Sequence, residues 1–390
     1  MAATTLLVHY HELALKGANR KRFEERLARE IREFLKPFAP LTVRRIPGRL
    51  RVEPSQGDAA GWQEALRRLP GIANTIAVSE FDPEMEVLER EVPALVPAGH
   101  GPFAVRARRD AKHYAFTSAD IGRRVGAAVQ KATGRPVDLT DPEVEVVVEI
   151  AGNRAYAGAG LKIGGYEGLP VGVAGKGILL LSGGFDSPVA GHLMQCRGLE
   201  IHALHCHSAP MVSAASLDKV RDLCRVLGLS QSRLRLFEVG IVDLQRAVVA
   251  KCPERLRTLL YRRSMMRLGS LMAWKLKARA LVTGDSLGQV ASQTLENLEA
   301  VSAAAKSPVL RPLIGMGKSF ILDKSRFIGT HDISKLPHED CCGFLAPQSP
   351  ATRSTAQELE EAEKALDFAT FEQAAFDARK EKTYECGKPV

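Results

Sequence analysis

Ile178-Leu179-Leu180-Leu181-Ser182-Gly183-Gly184-Phe185-Asp186-Ser187-Pro188 is the stretch that decides the fold. The apolar run Ile178 to Leu181 suits a strand buried on both faces of a parallel sheet. Beyond the loop, Val189, Leu193 and Cys196 recur at helical spacing until Gly198, and Ser187 and Pro188 suit the opening of that helix. A strand that passes through two glycines into a helix brings several backbone N–H groups together at a helix N-terminus, where the macrodipole also favours an anion. The loop therefore reads as a pyrophosphate site. A carboxylate cannot be there to attract phosphate, so Asp186 is expected to hold Mg²⁺ or to orient the reacting groups.

Working outward, a glycine-rich linker spans residues 164–177. After it, strands and helices alternate: His202 to Cys206, a helix around Leu217 to Leu227, Leu234 to Val239, a long helix from Thr258 to Lys277, Ala280 to Thr283, and Val309 to Leu313. This pattern predicts a doubly wound parallel sheet, with ligands bound beyond the carboxyl ends of the strands. Ser182, His205, Cys206 and Gly284 would meet there. The Ser182 loop resembles the signature of the PP-loop ATP pyrophosphatases, which split ATP between its α and β phosphates. Gly317-Lys318-Ser319 imitates a kinase-type phosphate loop, but the required first glycine falls on Pro312.

Before the linker the chain reads as α+β: strands Leu6 to Tyr10, Val43 to Ile46 and Leu50 to Val52 flank a helix from Arg20 to Leu35. A second unit begins near Phe103, with a helix opening at Ser118 and a strand from Val144 to Ile150. Residues 103–135 hold eight basic side chains, Arg106, Arg108, Arg109, Lys112, Arg123, Arg124, Lys131 and Arg135, against Asp110 and Asp120. Singly these are ordinary surface charges, but together they suggest phosphate contacts to a folded RNA recognised by shape. The net charge of +9 over 390 residues agrees with a polyanionic partner. No apolar run is long enough to span a bilayer, and the N-terminus lacks a secretory pattern, so a cytoplasmic protein is expected. Seven cysteines make an odd count. Cys196, Cys206 and Cys224 lie on apolar faces, and the adjacent pair Cys341-Cys342 stands apart in a loop context.

Over nearly its whole length the chain resembles the tRNA 4-thiouridine synthetases, which join a ferredoxin-like domain, a THUMP RNA-binding domain and a PP-loop domain. The resemblance rests on His9-Tyr10-His11-Glu12-Leu13-Ala14-Leu15-Lys16-Gly17-Ala18-Asn19-Arg20, on Gly168-Leu169-Pro170-Val171-Gly172, and on the run from Thr283-Gly284-Asp285-Ser286 to Gln293-Thr294. His11 stands where the family has glycine, and Asp285 where it has glutamate. The implied domains are residues 1–76, 77–168 and 169–390.

The resemblance implies that ATP activates the C4 oxygen of uridine 8 in tRNA and that a persulfide then displaces AMP. Ser182, Gly183, Gly184 and Ser187 would cradle pyrophosphate, while Leu180, Leu181, His205, Cys206, Arg262, Gly284 and Gln293 would line the ATP pocket. Asp186 would hold Mg²⁺, Lys318 would neutralise phosphate charge, and the family's essential sulfur-carrying cysteine falls on Cys341-Cys342, with Cys341 the better match and the other cysteine left to resolve the product. Arg106, Arg108, Arg109, Lys112, Arg123 and Arg124 would contact RNA. The chain reaches Val390 without the rhodanese domain of some relatives, and Cys386 reads as part of a charged tail, so sulfur is expected from a cysteine desulfurase directly or through a small carrier protein. Thr258 and Tyr261 occupy the positions where some relatives carry a Cys-X-X-Cys, which argues against an iron–sulfur cluster. A homodimer is compatible with the family, and some members also supply sulfur for thiamine thiazole synthesis. Another PP-loop enzyme such as a 2-thiouridylase, or a non-catalytic tRNA-binding protein, are the competing readings.

Overall fold

The computed structural model describes residues 4–110, 114–160, 162–211, 213–337, 345 and 347–390. The chain divides into two compact units, Met1–Pro170 and Val171–Val390.

The first unit contains β1 (Thr4–His9), α1 (Arg20–Phe34), β2 (Leu41–Ile46), β3 (Arg49–Pro54), α2 (Ala59–Leu66), β4 (Asn74–Phe81) and α3 (Met85–Glu91). It continues with β5 (Phe103–Arg109), α4 (Ser118–Thr133), β6 (Val144–Ala151), β7 (Arg154–Gly158) and β8 (Ile163–Gly164). One sheet in the order β2-β3-β1-β4-β7-β6-β5 runs through all of it, with β8 also on β4. Among the described strands of this sheet only β5 and β6 pair in parallel. Strand β4 pairs with β1 on one side and β7 on the other.

The apolar side of α4, Ile121, Val125 and Val129, is fully buried against Phe103, Val146 and Val148. Its start is fixed by a capping box: Thr117 Oγ1 accepts from the Asp120 N–H, and the Asp120 carboxylate accepts from the Thr117 N–H. Its end is set by Gly134 in the left-handed conformation. Glu149, 3% exposed, is buried between His9 (3.0 Å) and Arg49. Burial pushes the Glu149 carboxyl up, but the His9 hydrogen bond and the charges of His9, Arg49 and Arg108 outweigh it and leave the group below its ordinary range.

The second unit opens with β9 (Lys176–Leu180), α5 (Asp186–Cys196), β10 (Glu200–His207), α6 (Ala214–Gly228), β11 (Arg233–Gly240), α7 (Val242–Lys251) and α8 (Arg257–Leu276). Then follow β12 (Ala280–Val282), α9 (Leu295–Ser302), β13 (Val309–Leu310), α10 (Lys318–Ile328), α11 (His331–Lys335), α12 (Ala356–Glu363), α13 (Phe368–Asp377), β14 (Lys380–Glu385) and β15 (Lys388–Pro389). The order is β13-β12-β9-β10-β11-β14-β15, with β13 to β11 parallel, as the alternating pattern predicts. The chain winds outward in both directions from β9, so the crevice beyond Leu180 is the switch point at which such sheets bind ligands. Ile178, Leu204, Phe237 and Val239 form one core with α8, on which α9, α12 and α13 also pack.

Two expectations need correction. Cys386 does not lie in a free tail: β14 and β15 form a hairpin on the sheet, and β14 pairs antiparallel with β11. Apart from Tyr384, 1% exposed, the residues of β14 are charged or polar, which is how a hairpin at the margin of a sheet remains soluble and why its sequence imitates a tail. The strand expected to reach Leu313 stops at Leu310, because Pro312 has no N–H with which to continue a ladder.

Candidate functional site

Helix α5 begins at Asp186, one residue before the expected start, so the carboxylate occupies a favourable position in the first turn. Ser187 Oγ accepts from the Ser182 N–H at 2.9 Å and lies 3.1 Å from Ser182 Oγ. Ser182 Oγ accepts from the Gly184 N–H at 3.4 Å. These bonds close the loop on itself.

Gly284, just past β12, is pressed against this turn. A Cβ there would lie 2.6 Å from Ser187 N and 2.8 Å from the Asp186 carbonyl carbon. Only glycine lets the two segments approach this closely.

Asp186 receives Lys318 Nζ on one oxygen (3.0 Å) and Gln289 Nε2 on the other (3.1 Å). Lys318 is the first residue of α10, and its ammonium lies 5.4 Å from the Phe185 ring centre. The dipole of α10 disfavours a cation at that end, and the Asp186 carboxylate offsets it.

A cavity of about 610 Å³ lies above the carboxyl ends of β9, β10 and β12. Leu180, Leu181, Ser182, Ser187, His205, Cys206, Arg262, Gly284 and Gln293, all expected at an ATP pocket, line it with Asp186. Gly183 and Gly184 belong to the same loop without lining the cavity. His205 is held by its Nδ1, 2.8 Å from the Leu181 carbonyl oxygen.

The most buried charge lining this cavity is Asp285, 3% exposed. It accepts from Thr283 Oγ1 (2.7 Å), Arg311 Nε (3.2 Å), Gln293 Nε2 (3.3 Å) and Arg262 Nη2. Burial raises its pKa, but the Arg262 charge, the bonds from Thr283 and Arg262, and the Arg311 charge lower it further, to about 2.

Sequence reasoning missed Gln289, although it lies inside the quoted signature run. It also missed the apolar wall of Met265 and Met266, which reads as ordinary helix core. Among the described residues no group of three or more His, Cys, Asp or Glu could hold a metal by itself. A single carboxylate fits Mg²⁺ that takes its remaining ligands from substrate phosphates and water.

Cys341 and Cys342 lie outside the described residues. The chain leading towards them is anchored: Ser334 Oγ donates to the Gly184 carbonyl (3.2 Å), and buried Lys219 donates to the carbonyls of Ser334 (2.8 Å) and Leu336 (2.5 Å). Burial lowers the Lys219 pKa.

In the first unit, Arg106, Arg108 and Arg123 line a groove of about 880 Å³ that also takes in Lys162. Lys162 was not anticipated, since it lies outside the basic run. Arg106 donates to the Leu139 carbonyl (2.7 Å), and Arg123 pairs with Asp120. Arg109 points elsewhere, towards the Tyr114 carbonyl (3.4 Å), and Arg124 is held by Glu89 through two bonds of 2.5 and 3.0 Å. Lys112 lies outside the described residues. Arg135 leaves the basic cluster altogether: it is 1% exposed and donates to the Gly101 and Pro97 carbonyls at 2.7 and 3.1 Å. No helix among the described residues is long and apolar enough to cross a membrane.

Known proteins match this chain over nearly its whole length. The model of the thiamine biosynthesis protein (ThiI) family matches residues 172–368, that of the ThiI ferredoxin-like domain residues 5–75, and that of the THUMP domain residues 86–158. The chain is 41% identical over 368 residues to a probable tRNA sulfurtransferase of Caldanaerobacter subterraneus subsp. tengcongensis, covering 94% of this chain and 96% of the relative. It is also 41% identical to one from Brevibacillus brevis over 366 residues, covering 93% and 92%. A solved 4-thiouridine synthetase in complex with RNA and bound ATP superimposes with a TM-score of 0.87 at 35% identity, covering 98% of this chain and 100% of that one.

Proposed function

The chain belongs to the thiamine biosynthesis protein (ThiI) family of tRNA sulfurtransferases, and we propose that it converts uridine 8 of tRNA to 4-thiouridine in an ATP- and Mg²⁺-dependent reaction. The observation that carries this reading is the cavity at the switch point, with the Ser182 loop and the Asp186–Lys318 pair at one end. The solved relative that contains both RNA and ATP supports the choice of substrates. The domain division at 76/77 and 168/169 is part of the proposal.

ATP would seat its β and γ phosphates at the backbone N–H groups of the Ser182 loop, with Mg²⁺ on Asp186. Lys318, 3.0 Å from Asp186, is placed to move onto the phosphates as negative charge builds on the leaving pyrophosphate. The C4 oxygen of the uracil attacks the α phosphorus and pyrophosphate departs. The terminal sulfur of a persulfide on Cys341 then adds to C4 and AMP leaves. A second thiol, assigned to Cys342, breaks the remaining S–S bond, releasing 4-thiouridine and a protein disulfide that an external thiol must reduce. Sulfur would reach Cys341 from a cysteine desulfurase, directly or through a small carrier protein. A second role in sulfur transfer for thiazole synthesis accords with the family's description.

The RNA would lie on the Arg106, Arg108, Arg123 and Lys162 groove, where phosphate contacts fix position. Arg109, Arg124 and Lys112 remain candidate contacts, Arg124 only if it exchanges Glu89 for phosphate.

The test is Cys341→Ser with ATP, tRNA, a cysteine desulfurase and cysteine. Pyrophosphate release should persist while 4-thiouridine disappears. Thiolation that survives the substitution would move the sulfur-carrying residue elsewhere.

A further inference from the structure

Arg262 and Gln293 come from separate parts of the chain, yet both are held by one buried group. A carboxylate has about four acceptor positions. On Asp285 all are taken, by Thr283, Arg311, Gln293 and Arg262, and the group is 3% exposed. It therefore has no lone pair left for a metal, a phosphate-bound water or a proton in transit. What it can do is fix the groups around it.

Because an ionised carboxylate only accepts, the Gln293 amide must turn its NH₂ towards it. The Arg262 plane is fixed at a second point, where Nη1 donates to Ser292 Oγ at 2.8 Å. Two guanidinium groups against one carboxylate leave one net positive charge beside the cavity, and the carboxylate adjoins Gly284, which abuts the Ser182 loop. Without Asp285, Arg262 and Arg311 would face each other as unscreened like charges in a site of low polarity.

We propose that Asp285 is the positioning residue of the nucleotide site, holding Arg262 and Gln293 in their binding geometry and setting the wall's net charge. The inference rests on the assignment of the cavity to ATP.

The experiment uses the full chain and the non-hydrolysable analogue α,β-methylene-ATP with Mg²⁺. If Asp285 acts through Arg262, Asp285→Asn and Arg262→Gln should each weaken binding about tenfold, and the double variant should lose less than about twofold more. With ATP and tRNA, Asp285→Asn should raise KM for ATP about tenfold while kcat for pyrophosphate release changes less than about threefold. Additive losses in the double variant, or a fall in kcat with KM unchanged, would overturn the proposal.

Should Asp285→Asn fail to fold, Thr283→Val removes one bond to the same carboxylate. It should weaken the analogue about threefold in the wild-type background and not at all beside Arg262→Gln; equal effects in both backgrounds, or none in either, would overturn the idea as well. The wild-type protein separates the two levels of argument. If it fails to bind the analogue, the nucleotide assignment falls and this inference with it. If wild type and Asp285→Asn bind equally well, only the positioning role is refuted.

Discussion

Gly284→Ala asks whether close approach between the turn after β12 and the phosphate loop is needed for chemistry. The added methyl carbon would lie 2.6 Å from Ser187 N, against an ordinary contact of 3.4 Å, so the two segments must part by about 0.8 Å. The obstructing atoms are backbone on both sides, at Ser187 N, Ser187 Cα and the Asp186 carbonyl carbon, and no side chain can swing away to relieve them. The displaced atoms are the ones that place Asp186 and the start of α5.

Overpacking of this kind costs about 1–3 kcal/mol of stability. A misplacement near 1 Å in a reacting geometry can cost about 100-fold in rate. We expect pyrophosphate release to fall about 100-fold, with tRNA affinity within about twofold of wild type because the basic groove lies in the other unit. Rapid-quench measurement of pyrophosphate beside filter binding reads both. Wild-type pyrophosphate release from a folded Gly284→Ala protein would refute the reasoning.

Charge reversal at Arg108 should weaken tRNA binding and reduce the slope of log affinity against log salt by about 0.7 to 0.9, as expected for one lost phosphate contact; an unchanged slope would place the groove off the RNA path. Arg135→Ala, despite lying in the same basic run, should instead destabilise the first unit by about 3 kcal/mol in urea unfolding, since it removes a buried guanidinium together with its bonds to the Gly101 and Pro97 carbonyls. Burial, reinforced by Lys324, lowers the pKa of His192 from 6.5 to about 4. The corresponding stability of about 3 kcal/mol is fully present above pH 6.5 and lost as pH falls through 4, so His192→Gln should flatten the stability profile across that window.

The phosphate loop was legible because its function is carried by backbone. A strand, two glycines and a helix start fix where the N–H groups point whatever the rest of the chain does. The Asp285 network was not legible, since its partners at 262, 283, 293 and 311 are joined only when four segments fold around one cavity. Arg135 and Arg108 show the same limit from the other side. Both are arginines in one basic run, yet one is buried on carbonyl oxygens and the other exposed on a groove, and only packing distinguishes them. The hairpin of β14 and β15 escaped notice because a strand with one buried side chain, Tyr384, has almost no apolar pattern to read. The adjacent pair Cys341-Cys342 stands out in the sequence, but its role in carrying sulfur rests on resemblance and stays a proposal.

The central claim is tested most directly by incubating the purified chain with unmodified tRNA, ATP, Mg²⁺, a cysteine desulfurase and cysteine, and measuring pyrophosphate, AMP and thiolated nucleoside in one reaction. The account predicts 4-thiouridine at position 8, with one pyrophosphate and one AMP released for each sulfur incorporated. Thiolation at the C2 position or at another nucleotide, or 4-thiouridine formed without pyrophosphate release, would contradict it.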